Sequence, residues 1–447
     1  MSLKLYYQKF IAAFLIVIGS CVQAYCQPPQ LPAVNITIQV DKTQVGEGQN
    51  VVVTAVARNP NGSPAVGLNL HAQVNGRDWG AEYPTLPSGV TQLLLPLPEA
   101  GANSILVTDG SNVSSPVVVQ VHPRHFNIPY DPDHLVGMEY ETWFGPGYAE
   151  WGKEEAVTIL GHYSSLDERV LRQQTLWFNE AGINFVETDW TNNLTSAFPN
   201  KTAQECIDST NRLLDLYLKM EQHPLLVLLV GPENNRWRSD KDQYDGPWYK
   251  AQMDYIYDHY LNNPKYKGMW LMYEGKPLVT YYLNGPNPGP PPKIVDPRFT
   301  IRYVSAWLQH THAEQYGAWS WYDQEATPTY YNGKVEALTI TNAYPGIHPP
   351  AKGLNVWIAA DAAGKNYGET YRTQWEVARK YKPHFLFINQ WNEFMPPDEY
   401  NVNLSNDLEP TLVTEKGDPR PSGWGFDYLN QTREEIRKYH EAIQSAQ

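Results

Sequence analysis

The sequence predicts an α/β fold: a (β/α)₈ TIM barrel preceded by a small all-β, immunoglobulin-like sandwich. Three observations predict it. Between residues 35 and 121, short runs of alternating apolar and polar residues recur between turn clusters. After Pro123, strand-like apolar runs alternate with long amphipathic stretches, the pattern of βα units. No Gly-rich phosphate loop follows the first of those strands, which favours a closed barrel over a dinucleotide-binding sheet. A chain of 447 residues also exceeds what one core usually supports.

The N-terminus reads as an export signal over residues 1–26, with Lys4 and Lys9 ahead of the apolar run Phe10 to Ile18. Two cleavage readings stand side by side. Ile18-Gly19-Ser20-Cys21 resembles a lipoprotein box that would give a lipid anchor, and Ala24-Tyr25-Cys26 resembles an ordinary small-residue site. The expected location is therefore outside the cytoplasm: periplasmic, secreted or held at the cell surface. Only Cys206 remains in the body of the chain, so no internal disulfide framework is expected.

The sandwich is assigned to residues 31–123. Asn35 to Val40 places Ile36, Ile38 and Val40 on one face of a half-buried strand. Val51 to Val56, Leu68 to Val74, Thr91 to Leu97, Ser104 to Val107 and Val117 to Val121 continue the pattern. Turns such as Asn59-Pro60-Asn61-Gly62 and Asp109-Gly110-Ser111-Asn112 separate them. A spacer or wall beside the larger domain is its expected role.

The barrel is assigned to residues 127–447. Ser165-Leu166-Asp167-Glu168 has capping-box spacing and opens a helix that Gly182 stops. Thr202-Ala203-Gln204-Glu205 repeats the device ahead of the apolar stripe Cys206, Ile207, Leu213, Leu214 and Tyr217. Ile183 to Val186, Leu225 to Val230, Pro277 to Leu283, Ala337 to Ile340 and His384 to Ile388 are continuous apolar runs, as parallel strands covered on both faces require.

A formal charge of -14 would repel phosphates and sets nucleic acid aside as a partner. Aromatic residues make up 13% of the chain, with 15 Trp and 30 Tyr, and rigid aromatic faces suit sugar rings. Past the strand ends, the sequence presents Glu139-Tyr140-Glu141, Glu187-Thr188-Asp189-Trp190, Tyr281-Tyr282, Trp319 to Asp323, and Gln390-Trp391-Asn392-Glu393. Glycosidic cleavage needs one carboxyl to protonate the leaving oxygen and a second to support the positive centre. Glu393 is the first catalytic candidate, because a buried strand ending abruptly in a charged group demands a reason. Asp189 is the second, against the alternative that it merely caps the next helix.

Several of these stretches together resemble glycoside hydrolase families 99 and 71: Gly161-His162-Tyr163-Ser164-Ser165, Ala181 to Phe185 through Asp189-Trp190, Tyr273 to Pro277, and Trp391-Asn392-Glu393-Phe394 with Glu409-Pro410 downstream. The resemblance covers most of the chain from about Val136 onward. It implies a (β/α)₈ barrel acting on α-linked polysaccharide, α-mannan or α-glucan in type, without an organic cofactor. The family-99 hallmark carries two glutamates three residues apart, and Glu393 matches the first. Pro396 stands at the second and cannot transfer a proton, so Asp398 and Glu399 become further catalytic candidates. Expected substrate-binding residues are His162, Tyr163, Glu187, Trp190, Tyr282, Trp321, Trp391 and Asn392. Trp190 and Trp321 are expected to face the cleft as sugar platforms.

No catalytic metal is expected, although Asp398, Glu399, Asp407 and Glu409 could hold a structural Ca²⁺. His310 and His312 do not share one helix face and make a poor metal pair. The expected partner is the polysaccharide itself, met by a monomer and cleaved by endo attack; a non-catalytic glycan-binding barrel and a polysaccharide lyase are the alternatives. A lyase would want a basic cluster at the strand ends, and an esterase a Gly-x-Ser-x-Gly elbow; the sequence has neither.

Overall fold

A computed structural model describes residues 33–145, 151, 154–191, 201–231, 246–283, 296–305, 308, 312–344, 363–394 and 402–445. The segment 1–26 and residues 395–401 lie outside the described residues. No helix among those described is long and apolar enough to cross a membrane.

The first eight strands are β1 (Asn35–Val40), β2 (Gln44–Gly46), β3 (Asn50–Arg58), β4 (Asn69–Val74), β5 (Arg77–Pro84), β6 (Val90–Pro96), β7 (Gly101–Thr108) and β8 (Val117–His122). They form two sheets, ordered β1-β3-β6 and β2-β8-β7-β4-β5. The period of two in the sequence decides which face is buried. Val51, Val53, Ala55 and Ala57 of β3 point to the same core as Leu93 and Leu95 of β6, and Ile105, Val107 and Val119 of the other sheet join them.

The larger unit follows as β9 (Leu135–Tyr140), α1 (Glu168–Ala181), β10 (Phe185–Asp189), α2 (Lys201–Tyr217), β11 (Leu225–Val230), α3 (Gly246–Ile256), β12 (Met272–Tyr273), β13 (Lys276–Tyr282), β14 (Thr300–Ser305), β15 (Trp319–Ser320), β16 (Thr329–Tyr331), β17 (Lys334–Thr341), α4 (Glu369–Tyr381), β18 (Phe385–Asn389) and α5 (Asp427–Gln444). Its main sheet runs β15-β14-β13-β11-β10-β9-β18-β17-β16. Every pair from β15 round to β17 is parallel, and β16 folds back on β17 as an antiparallel edge. The sheet is nearly closed, and Thr339 Oγ1 of β17 bridges the remaining gap to the Ser320 carbonyl of β15 at 2.5 Å. This is a TIM-barrel-like fold.

Inward-pointing side chains fill the barrel as a separate apolar plug: Leu135, Phe185, Val227, Leu229, Leu278, Val304, Trp319, Phe385 and Phe387. Gly137 is required at this level, since a Cβ there would lie 2.2 Å from the Phe185 ring. Beneath the plug, Arg302 reaches Glu336 with Nε at 3.0 Å and Nη2 at 2.7 Å, and Trp319 Nε1 donates to the same carboxylate at 2.8 Å.

Two helix starts differ from the sequence expectation. Asp167, not Ser165, caps α1 by accepting from Arg169 N at 2.9 Å, because the Ser165 hydroxyl is taken by the Phe144 amide at 3.1 Å. Helix α2 begins at Lys201, which places Thr202 inside it. Gly182 ends α1 with φ 93°, as its position predicts. The sandwich and the barrel touch through buried polar contacts. Gln173 Nε2 donates to the Gly48 carbonyl at 3.0 Å, and the Arg169 guanidinium lies 4.9 Å over Trp79. Gly161 comes so close to Gly80 that a Cβ would sit 2.7 Å from its carbonyl oxygen.

Candidate active site

The registers put acids at the mouth of the barrel. Glu187 of β10 pairs with Glu139 of β9, one inward pleat above the level where Phe185 meets Gly137. Asp189 occupies the next inward pleat, opposite Leu229. These residues therefore belong to the last turns of the pleated strands and not, as the sequence reading had it, to the segments beyond them. Their preceding apolar neighbours drive the strands into the barrel and carry the carboxyls with them.

Each acid is held by neutral donors. Glu139 accepts from Trp321 Nε1 and Asn389 Nδ2. Glu187 accepts from Thr280 Oγ1 at 2.5 Å, and Asp189 from the Thr191 amide and, at 3.0 Å, the Thr191 hydroxyl. Glu393 follows β18 and accepts from Gln390 Nε2 at 2.5 Å. Neutral donors leave burial uncompensated, so the protonated forms gain. Burial raises Glu139 well above the carboxylate range, and the charges of Glu187, Asp189 and Glu393 add to this. Burial likewise pushes Glu187 up to about 8, Glu393 to about 7 and Asp189 to about 6. Near neutrality Asp189 is thus the more readily ionised of the two, and Glu393 the more readily protonated. Groups of one chemical type with separated titrations are what acid–base catalysis requires.

Tyr282 and Trp321 line the same space, their rings 5.2 Å apart and at 65°. The charges of Glu139, Asp189 and Glu393, after burial, hold the Tyr282 hydroxyl above its usual range. Tyr163 and Asn392 sit one layer out. Asn392 Nδ2 donates to Tyr163 OH at 2.8 Å, and Tyr163 OH donates to Glu409 Oε2 at 2.8 Å. Asn392 also ties itself to the backbone of Glu141 through both ends of its amide, each at 3.0 Å. His162 is exposed; it bonds Glu154 at 2.5 Å and lies parallel to Trp151, with ring centroids 5.4 Å apart.

Two expectations are corrected. Trp190 is not a platform: it is fully buried, its Nε1 donates to Thr210 Oγ1 of α2 at 3.0 Å, and its ring packs against Tyr260. Trp391 is equally buried, packed against Phe178 and Trp177 of α1. Trp190 follows the inward Asp189 and so points outward to the helix layer.

Asp398 and Glu399 fall outside the described residues. Asp407 and Glu409 do not offer free oxygens to a cation: Asp407 accepts from the Glu393 and Phe394 amides, and Glu409 from Tyr163 and Gln174. Among the described residues, no group of three or more His, Cys, Asp or Glu side chains is placed to hold a metal ion. Sequence reasoning missed Asn389, Thr280 and Thr191 as donors to the acids, and quoted Gln390 without giving it that role. Asn389 alone left a signal, a polar side chain ending the apolar run Phe385 to Ile388.

Three similarities accompany this geometry. The chain is similar to a structure of the GH99 endo-α-mannosidase from "Bacteriodes thetaiotaomicron" in complex with bis-tris-propane, with 17% identity and a TM-score of 0.49 over 71% of this chain and 100% of that one. A second structure of the GH99 endo-α-mannosidase from Bacteroides thetaiotaomicron gives 14% identity and a TM-score of 0.48, again over 71% and 100%. A family 39 glycoside hydrolase from the gut symbiont Bacteroides cellulosilyticus WH2 gives 11% and 0.33, over 89% of this chain and 82% of that one. No family model and no curated protein matches the chain.

Proposed function

We propose that the barrel mouth hydrolyses glycosidic bonds in an α-linked polysaccharide, of α-mannan or α-glucan type, by endo attack. The observation that carries this reading is the cluster of carboxyls at the strand ends, the buried Glu139, Glu187 and Asp189 with the half-buried Glu393, in which Glu393 is pushed up to about 7 and Asp189 to about 6. Glu393 protonates the leaving oxygen, and Asp189 supports the positive centre that develops on the sugar. Tyr282 and Trp321 hold the ring, and His162, on its Trp151 stack, lies along the path of the polymer. Glu187, pushed up to about 8, serves as a donor to sugar hydroxyls, and Glu139, raised by burial, lies beside it.

The setting proposed for this chemistry is outside the cytoplasm, with residues 1–26 as the leader and Cys21 as the site of a lipid anchor if that cleavage is used. The immunoglobulin-like sandwich of 31–123 acts as a wall beside the catalytic unit of 127–447, and the protein works as a monomer. A glycan-binding barrel without turnover is the second reading, favoured by Pro396 at the position where the resembled family has its second glutamate. Incubation with α-mannans, α-glucans and sulfated polysaccharides, followed by product sizing, tests both. Shortened chains from one α-linked polymer support hydrolysis; retention on a polymer with no new reducing ends supports the second reading and overturns the first.

A further inference from the structure

Asp407 has no reacting role in the reading above, yet it is among the most engaged side chains beside Glu393. It is 2% exposed. Its Oδ1 accepts from the Glu393 amide and its Oδ2 from the Phe394 amide at 3.1 Å and the Ser405 hydroxyl at 2.9 Å. Phe394 has φ 43°, a left-handed conformation that a bulky side chain adopts only when something fixes it. The segment carrying Asp407 runs beside the end of β18: Asn406 Nδ2 donates to Asn389 Oδ1 at 2.6 Å, and the Leu408 amide to the Trp391 carbonyl at 3.0 Å.

Asp407 is itself secured from two sides. The buried Glu155 carboxyl lies beside Asp407 and Ser405. The buried Lys365 ammonium donates to the Ser405 carbonyl and, at 3.2 Å, to the Asp407 carbonyl, and lies 4.0 Å over the Trp424 ring. Glu155, Lys365 and Glu393 are the titratable groups that face it.

We propose that Asp407 is the positioning residue of Glu393: its two carboxylate oxygens clamp the Glu393–Phe394 backbone turn and so aim the Glu393 carboxyl into the acidic mouth, with Glu155 and Lys365 fixing the clamp. The inference rests on the reading of Glu393 as the working acid. The clamp also has an electrical consequence. Burial raises both Glu155 and Asp407, and Asp407 also faces the charge of Glu393. Asp407 and Glu393 are like charges when both are ionised, so each disfavours ionisation of the other.

The test uses the full chain with Asp407→Asn, which keeps the shape and one acceptor but loses the charge. Two readouts separate the outcomes. The first needs no substrate: carboxyl titration by NMR with ¹³Cδ-labelled glutamate, the Glu393 signal assigned by its loss in Glu393→Gln. Its midpoint is expected to fall by about one pH unit in Asp407→Asn, since the like charge of Asp407 is removed. The second is turnover on the polymer found by the panel, where kcat is expected to fall roughly 100-fold with KM within about threefold, as loss of aim and not of binding requires. An unchanged midpoint and an unchanged kcat overturn the clamp. A shifted midpoint in a protein that cleaves nothing keeps the clamp and defeats the hydrolase reading instead. Should Asp407→Asn fail to fold, Ser405→Ala removes one donor to the clamp: a several-fold loss of kcat at constant KM supports the inference, and wild-type kcat overturns it.

Discussion

The two ends of the barrel treat buried carboxyls in opposite ways. On the floor, Glu336 is met by Arg302, Trp319 Nε1 and, at 2.9 Å, Tyr273 OH, and Arg302 also reaches Glu274 at 3.2 Å. At the mouth, Glu139, Glu187, Asp189 and Glu393 are met by Trp, Asn, Thr and Gln side chains. Floor and mouth share strands, plug and depth. What differs is the cation, and with it the use of the carboxyl: a paired carboxylate braces the structure, whereas an unpaired one trades its proton. An end of a barrel that keeps its acids away from cations gives up stability for reactivity.

Breaking the floor pair should produce the largest loss of stability. Arg302→Met leaves Glu336 buried without its cation and is expected to cost about 3–5 kcal/mol of unfolding free energy. Chemical denaturation measures it; a cost near zero would mean that floor and mouth do not differ in the way described.

The mouth sharpens the comparison through pH. Glu187 has a folded-state pKa of about 8, raised from 4.5. A raised carboxyl binds its proton more tightly in the folded chain than in the unfolded one, so its stabilising effect is full below the unfolded value and is lost as pH rises to about 8. Thermal melts should therefore fall between pH 5 and 8, and Glu187→Gln should flatten that slope and melt higher than the parent at pH 8. An identical slope in the variant would remove Glu187 from the account.

Trp321 gives the smallest expected effect. Trp321→Phe keeps the ring but removes the indole donor to Glu139. KM on the polymer should rise about fivefold, the equivalent of one hydrogen bond, with little change in Tm. A large drop in Tm with unaltered KM would make Trp321 a packing residue like Trp190.

That contrast between tryptophans shows where sequence reasoning stops. Strand β1 (Asn35–Val40) and strand β11 (Leu225–Val230) were legible because each repeats one local pattern, alternation in the first and unbroken apolar character in the second. Strand β14 (Thr300–Ser305) was not, since Arg302 interrupts it and its main partner, Glu336, lies 34 residues away. The acids of β9 and β10 were noticed but placed beyond the strands, because a carboxyl inside a strand makes sense only once its neighbours are known. Trp190 was misread through parity alone: with Asp189 facing in, the next residue must face out. Glu393 was found from its abrupt position after an apolar run, while the clamp on its backbone lies 14 residues further along and leaves no local mark.

The central claim is that the mouth acids work as a catalytic pair, and the pH dependence of kcat/KM for the wild type beside Glu393→Gln tests it most directly. The substitution keeps size and hydrogen bonding but removes the transferable proton. The wild type should give a bell with its acid limb near the Asp189 value of about 6 and its alkaline limb near the Glu393 value of about 7. Glu393→Gln should lose roughly 10²-fold or more in rate and the alkaline limb with it, at a Tm close to the parent's. A variant that keeps full activity and the same bell would contradict the assignment.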